Sequence, residues 1–158
     1  MEFKELIAAF AAKYAIEGLD DVDDVIELDV DGSRVELLND QQTRSVVACA
    51  EIGLPPPDAN GAFGSMMLKA NFLLRATDGA TLCQNPETGE YAIFQAFPLS
   101  GLNAESLAAE VARIADKTEH WRNILNAFQV AEREKGEAAA EEVLVDAIHG
   151  GQSGFLQV

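Results

Sequence analysis

The apolar residues of this chain change period along its length, from helical to alternating and back, and then through the same cycle again. Phe3, Leu6, Ile7, Phe10 and Tyr14 recur at helical intervals, with Gly18 as a plausible stop. Ile26, Leu28 and Val30 then alternate with Glu27 and Asp29, and Asp31-Gly32 supplies a tight hairpin turn into Val35 and Leu37. After a second turn at Asn39 to Gln42, Ser45 to Ile52 forms a third strand, apolar on both faces through Val46-Val47-Ala48-Cys49-Ala50. A strand with no polar face belongs in the middle of a sheet or under cover on both sides. Gly53-Leu54-Pro55-Pro56-Pro57 ends it, because proline cannot donate to a ladder.

A second helix is predicted from Phe63 to Leu74. Phe63, Met67, Ala70 and Leu74 line one face; Met66, Leu68 and Phe72 spread around the rest, and only Ser65, Lys69 and Asn71 interrupt. A surface helix should carry a polar half. A domain of 158 residues has little room to surround a helix, so one side is expected in the core and the other against a second subunit. Asp78-Gly79 opens a second hairpin, with strands Ala80 to Gln84 and Tyr91 to Leu99 joined by Asn85-Pro86-Glu87-Thr88-Gly89. Tyr91, Ile93, Phe97 and Leu99 share one face and Ala92, Phe94 and Ala96 the other, so again neither face is polar.

The last large helix begins at Asn103, a good N-cap, and Leu107, Val111, Ile114, Thr118, Trp121, Leu125 and Phe128 form a seam suited to a flat sheet or another helix. Glu132 to Gly136 interrupts that seam, and Ala138 to Ile148 is expected as a short separate helix. Two units are therefore expected: residues 1–134 as the main domain, and residues 135–158 as a C-terminal helix with a flexible Gly-rich tail, which either covers an apolar groove in the unbound state or is disordered.

Charge narrows the function. With 27 acidic against 11 basic residues the formal net charge is −16. Nucleic acid and anionic membrane surfaces both require clustered Lys and Arg, so neither is an expected partner. No stretch approaches the ~18 uninterrupted apolar residues of a membrane span. Met1-Glu2-Phe3-Lys4-Glu5 lacks the features of an export signal, so the expected location is the cytoplasm. The run Asp20-Asp21-Val22-Asp23-Asp24 lacks the spacing of a calcium loop and reads as a solvated connector.

Equipment for catalysis is sparse. His120 and His149 have no ligand-type spacing, and Cys49 and Cys83 form no CxxC pair. Cys49 lies among apolar neighbours, where a thiol loses reactivity. No phosphate-binding loop or nucleophile elbow occurs. The expectation is a protein that uses no cofactor and no metal, is not an enzyme, and holds another protein.

The order helix, three strands, helix, two strands, helix resembles the class I type III secretion chaperones, the Tir-chaperone (CesT-like) family. Leu68-Lys69-Ala70-Asn71-Phe72-Leu73 is similar to that family's leucine-x-alanine-asparagine stretch. Ala48 to Pro56 resembles its strand running into a proline-containing loop, and Tyr91 to Leu99 with the Trp121 helix resembles its last strand pair and final helix. The resemblance implies an α+β fold of α-βββ-α-ββ-α order, a twisted antiparallel sheet packed with helices, in a homodimer in the bacterial cytoplasm. It implies a secreted effector whose N-terminal segment is held extended, soluble and secretion-competent. The expected dimer interface is Phe63, Met66, Met67, Ala70, Phe72 and Leu73; the expected partner-binding residues are Phe3, Leu6, Phe10, Phe94 and Phe97. The alternative is an adaptor or regulatory protein of the same fold, unconnected with secretion.

Overall fold

A computed structural model describes residues 2–19, 22–57 and 61–150, with side chains as far as residue 136. The elements follow the expected order: α1 (Phe3–Tyr14), β1 (Val25–Val30), β2 (Ser33–Asp40), β3 (Ser45–Gly53), α2 (Ala62–Ala70), β4 (Thr81–Gln84), β5 (Tyr91–Pro98) and α3 (Ala104–Gly150). The strands make one antiparallel sheet in the order β1-β2-β3-β5-β4. The two-faced apolar strand β3 is central, as its composition requires.

Local chemistry sets the turns. Asp31 and Gly32 both adopt positive φ, 51° and 80°. Their twist matches that of β1 and β2 and allows a two-residue connection. The Asp29 carboxylate accepts the Gly32 N–H at 3.1 Å. Between β2 and β3, Asp40 accepts the Thr43 hydroxyl at 2.6 Å, which holds the Asp40 carboxyl below its ordinary pKa.

One face of the sheet is the core. Ile26, Leu28, Val35, Leu37, Val46, Ala48, Ala50, Ile52 and Ile93 alternate onto it and are buried. α3 lies across β3 with further contact to β2, β5 and β1, through Leu107, Val111, Ile114, Trp121 and Leu125. α1 packs against α3 and buries Phe3, Leu6, Ile7 and Phe10 in the same cluster. Burying each such side chain contributes about 1.5–3 kcal/mol. Thr118 sits in the α3 seam without penalty because its hydroxyl donates to the Ile114 carbonyl at 2.7 Å.

The structure departs from the sequence reading at three helix ends. α1 stops at Tyr14, because Ala15 turns left-handed (φ 52°) and the Ile16 N–H donates to the Ala11 carbonyl; Gly18 lies beyond the stop. α2 stops at Ala70 rather than Leu74; Phe72–Leu74 is a short 3-10 turn in which Leu73 and Leu74 both have positive φ, 56° and 53°. α3 is continuous from Ala104 to Gly150, with no break at Gly136. A single helical glycine costs about 1 kcal/mol, and the surrounding Ala and Glu residues favour the helix. The Gly-rich tail at 151–158, and Asp20 and Asp21 of the acidic connector, lie outside the described residues. Among the described residues no helix is long and apolar enough to cross a membrane.

Ile114 is fully buried in the α3 seam. Replacing it with alanine is expected to cost 2–5 kcal/mol, read as a lowered urea midpoint with unchanged slope. Val130→Ala, at a position 54% exposed, should leave that midpoint nearly unmoved.

Candidate partner-binding surfaces

The outer face of the sheet is the counterpart of the core. By the strand register it carries Glu27 from β1, Arg34, Glu36 and Leu38 from β2, Val47, Cys49 and Glu51 from β3, Phe94 and Ala96 from β5, and Cys83 from β4. Leu38, Val47, Cys49 and Phe94 are only partly buried and Ala96 is exposed. An apolar strip thus runs across the middle of the sheet with carboxylates at its rim. Towards one end the face deepens into a cleft of about 510 Å3, lined by Arg34, Glu36, Cys49, Cys83, Pro86 and Ala92 among others.

The chemistry of that cleft is muted. Burial, and secondarily the neighbouring Cys83, pushes the Cys49 thiol up to about 11, so almost none is thiolate at neutral pH. Glu51 accepts from the Thr88 hydroxyl at 3.3 Å and from the Asn85 amide at 3.4 Å. Glu90 shares a hydrogen bond with Glu51, and that bond, followed by desolvation and the Glu51 charge, holds the Glu90 carboxyl above its ordinary pKa. Arg122 reaches over from α3 to donate to the Glu51 carbonyl at 3.1 Å, beside the bulge between Glu51 and Gly53. Among the described residues no cluster of three or more His, Cys, Asp and Glu could hold a metal ion. His120 is exposed and lies edge-on to Trp121.

The two edges of the sheet differ. The Asn39 N–H donates to the Asp24 carbonyl at 2.8 Å, which fixes the parity of the β1–β2 ladder. Asp24, Ile26, Leu28 and Val30 therefore bond inward to β2, and the backbone N–H and C=O groups of Val25, Glu27 and Asp29 point outward. Among the described residues no backbone partner meets them. Val25, Glu27 and Asp29 are exposed, and Glu27 is paired with Arg34 at 3.1 Å.

A second apolar surface follows α2. Leu68, Phe72 and Leu73 are 74%, 75% and 64% exposed, and Leu74 is 38% exposed. The turn that carries them is held from behind. Asn71 bonds to Leu82 of β4, and Lys117 of α3 donates to the Asp78 carbonyl at 2.7 Å and to Gln95 Oε1 at 3.0 Å.

The residues expected at the dimer interface separate into two groups. Phe72 and Leu73 lie on the surface beside Leu68, Met66 and Ala70 are partly buried, and Phe63 and Met67 are in the core. Phe63 stacks on Tyr91 and meets Phe128 edge-on, both at 5.4 Å between ring centroids. Of the residues expected to bind a partner, Phe94 faces outward on the open face, whereas Phe3, Leu6, Phe10 and Phe97 are buried in the core cluster. The sequence reading did not single out the β1 edge or Lys117. It had Asn71 as a polar interruption in an apolar run and as the asparagine of the Leu68 to Leu73 stretch, but gave its side chain no partner.

Comparison with known proteins agrees with this architecture. The Tir chaperone protein (CesT) family matches residues 5–122, well over half of the chain, and the chain belongs to that family. Among solved structures the fold is similar to the HopA1–SchA chaperone–effector complex, at 20% identity and TM-score 0.61 over 77% of this chain and 93% of that one. It is also similar to the ExsC–ExsE complex, at 19% identity and TM-score 0.65 over 79% and 97%. A third likeness is to the heterodimeric ExoU–SpcU complex from the type III secretion system of Pseudomonas aeruginosa, at 13% identity and TM-score 0.59 over 73% and 94%. No curated protein sequence matches the chain.

The Glu51–Glu90 pair gives the cleft a defined pH response. A carboxyl whose folded pKa is raised contributes stability below its unfolded pKa and loses that contribution as pH rises through the folded value. Glu90→Gln imitates the protonated form at every pH. Its melting temperature relative to wild type should therefore increase as pH is raised from about 4 to 7. A difference that stays constant over that range would contradict the raised Glu90 pKa.

Proposed function

We propose that this chain is a homodimeric type III secretion chaperone. In this reading it binds the N-terminal chaperone-binding segment of a secreted effector in the bacterial cytoplasm, keeps it soluble and secretion-competent, and catalyses no reaction. The observation that carries the reading is the open β1 edge beside a partly exposed apolar sheet face. An extended segment added at Val25, Glu27 and Asp29 gains backbone hydrogen bonds, and its alternate side chains lie over the outer face towards Leu38 and Val47. The segment is held unfolded because its own backbone groups are already paired.

Charge specifies the ligand further. Glu27 and Asp29 on the edge, with Glu36 on the same face, favour a segment that carries Lys or Arg among the apolar residues it lays over that face. Phe94 offers a direct apolar contact. Phe3, Leu6, Phe10 and Phe97 act from behind, by fixing the sheet against α1 and α3. Membership of the CesT family and the fold shared with chaperone–effector complexes support the same partner class. The dimer contact is assigned to Phe72 and Leu73 with Leu68, where exposed apolar area is concentrated. Phe63, Met66, Met67 and Ala70 support that contact from within α2.

The tagged protein, recovered from its native lysate and sized by light scattering, should be a dimer that retains a protein through that protein's N-terminal region. A monomer with no protein bound would overturn the reading. Phe72→Asp, at an exposed position, should give folded monomers. Glu27→Pro removes one outward N–H without touching the β1–β2 ladder, and should weaken client binding tenfold or more in a titration while leaving the melting temperature within a few degrees. Unchanged affinity would place the client elsewhere.

A further inference from the structure

The opposite edge of the sheet is not available in the same way. The Asn85 N–H donates to the Glu90 carbonyl at 2.7 Å, so Thr81 and Cys83 bond inward to β5, and Ala80, Leu82 and Gln84 present their backbone groups outward. Both outward groups of Leu82 are taken by one side chain. Asn71 Nδ2 donates to the Leu82 carbonyl and Asn71 Oδ1 accepts the Leu82 N–H, each at 2.9 Å. A carboxamide presents one donor and one acceptor in the spacing of a peptide group, so here it stands where a neighbouring strand would bond. Ala80 is treated likewise: its N–H donates to the Thr77 carbonyl at 3.2 Å, and its carbonyl accepts from the Thr77 hydroxyl at 2.5 Å. Thr77 is buried, at 2% exposure.

We propose that Asn71 and Thr77 form an edge lock that leaves each protomer one strand acceptor, at β1, and excludes strand addition at β4. The proposal rests on the strand-addition reading for what occupies β1, and goes beyond it by naming the residues that set how many segments each protomer holds. It also gives a reason for the strained turn after α2. Placing the Asn71 carboxamide against Leu82 ends the helix, and the chain continues through Leu73 and Leu74 at positive φ, a conformation that bulky side chains disfavour. An unlocked β4 edge would instead be a template for a second strand or a second sheet.

The test uses the full chain and an eight-residue peptide of alternating valine and lysine carrying a central photo-crosslinker. On the wild-type protein, cross-links should map to residues 25–30 and not to 80–84. In Asn71→Ala the bound peptide per protomer should double and a second set of cross-links should appear at 80–84. Cross-links reaching both edges of the wild type equally would overturn the lock. So would an Asn71→Ala variant with unchanged stoichiometry whose Leu82 amide has lost its protection from deuterium exchange. If the variant fails to fold, the wild-type cross-link map decides alone. If the peptide binds neither edge of the wild type, strand addition at β1 has failed, and the lock is judged by sedimentation. Association of Asn71→Ala into species larger than wild type supports it, and wild-type size with an unprotected Leu82 overturns it.

Discussion

The close approach of α3 to β3 is the contact on which the other elements depend. Ala48 and Ala50 on β3 are small, and the α3 seam of Leu107, Val111, Ile114, Trp121 and Leu125 belongs to the same buried cluster. Interiors pack to crystal-like density, so this seam sets where every other element can sit. α1 fills the space beside it with Phe3, Leu6, Ile7 and Phe10, and Phe63 of α2 is fixed by Phe128 from the far part of α3. Only the helix side of the sheet is served by this arrangement. The outer face, equally rich in small and apolar residues along β3 and β5, has no helix assigned to it among the described contacts.

From that one-sidedness the binding reading follows. A five-stranded sheet with a single covered face exposes apolar side chains that are costly in water unless something lies on them. The strong negative charge keeps such a molecule dispersed, because copies repel one another while cationic ligands are attracted. Acidic side chains on the open β1 edge apply the same discrimination locally: Glu27 and Asp29 oppose pairing with another acidic edge and accept a basic strand.

Much of this was legible in the residues. Alternation at Ile26-Leu28-Val30, the Asp31-Gly32 turn and the two-faced Val46 to Ala50 run determine the first three strands and the central place of β3. The element order, with Leu68 to Leu73, was enough to suggest the family. What was not legible depends on partners distant in sequence. Periodicity carried the second helix to Leu74, because nothing within the run reveals that Asn71 bonds to Leu82. Nor does the run reveal that Phe63 and Met67 are buried within the folded chain while Phe72 and Leu73 are exposed. Similarly, the charged segment at Glu132 to Gly136 breaks an apolar seam but not a helix. Residues 133–136 are exposed, so there the helix has no core for a seam to face.

That continuation has a physical consequence of its own. At about 1.5 Å per residue, the 47 residues of α3 extend roughly 70 Å. Among the described side chains, the last tied to the body are Phe128, against Phe63, and Gln129, which donates to the Leu54 carbonyl. A single helix of that length adds drag far out of proportion to its mass. For such a molecule, elution from a sizing column reports length before it reports the number of subunits.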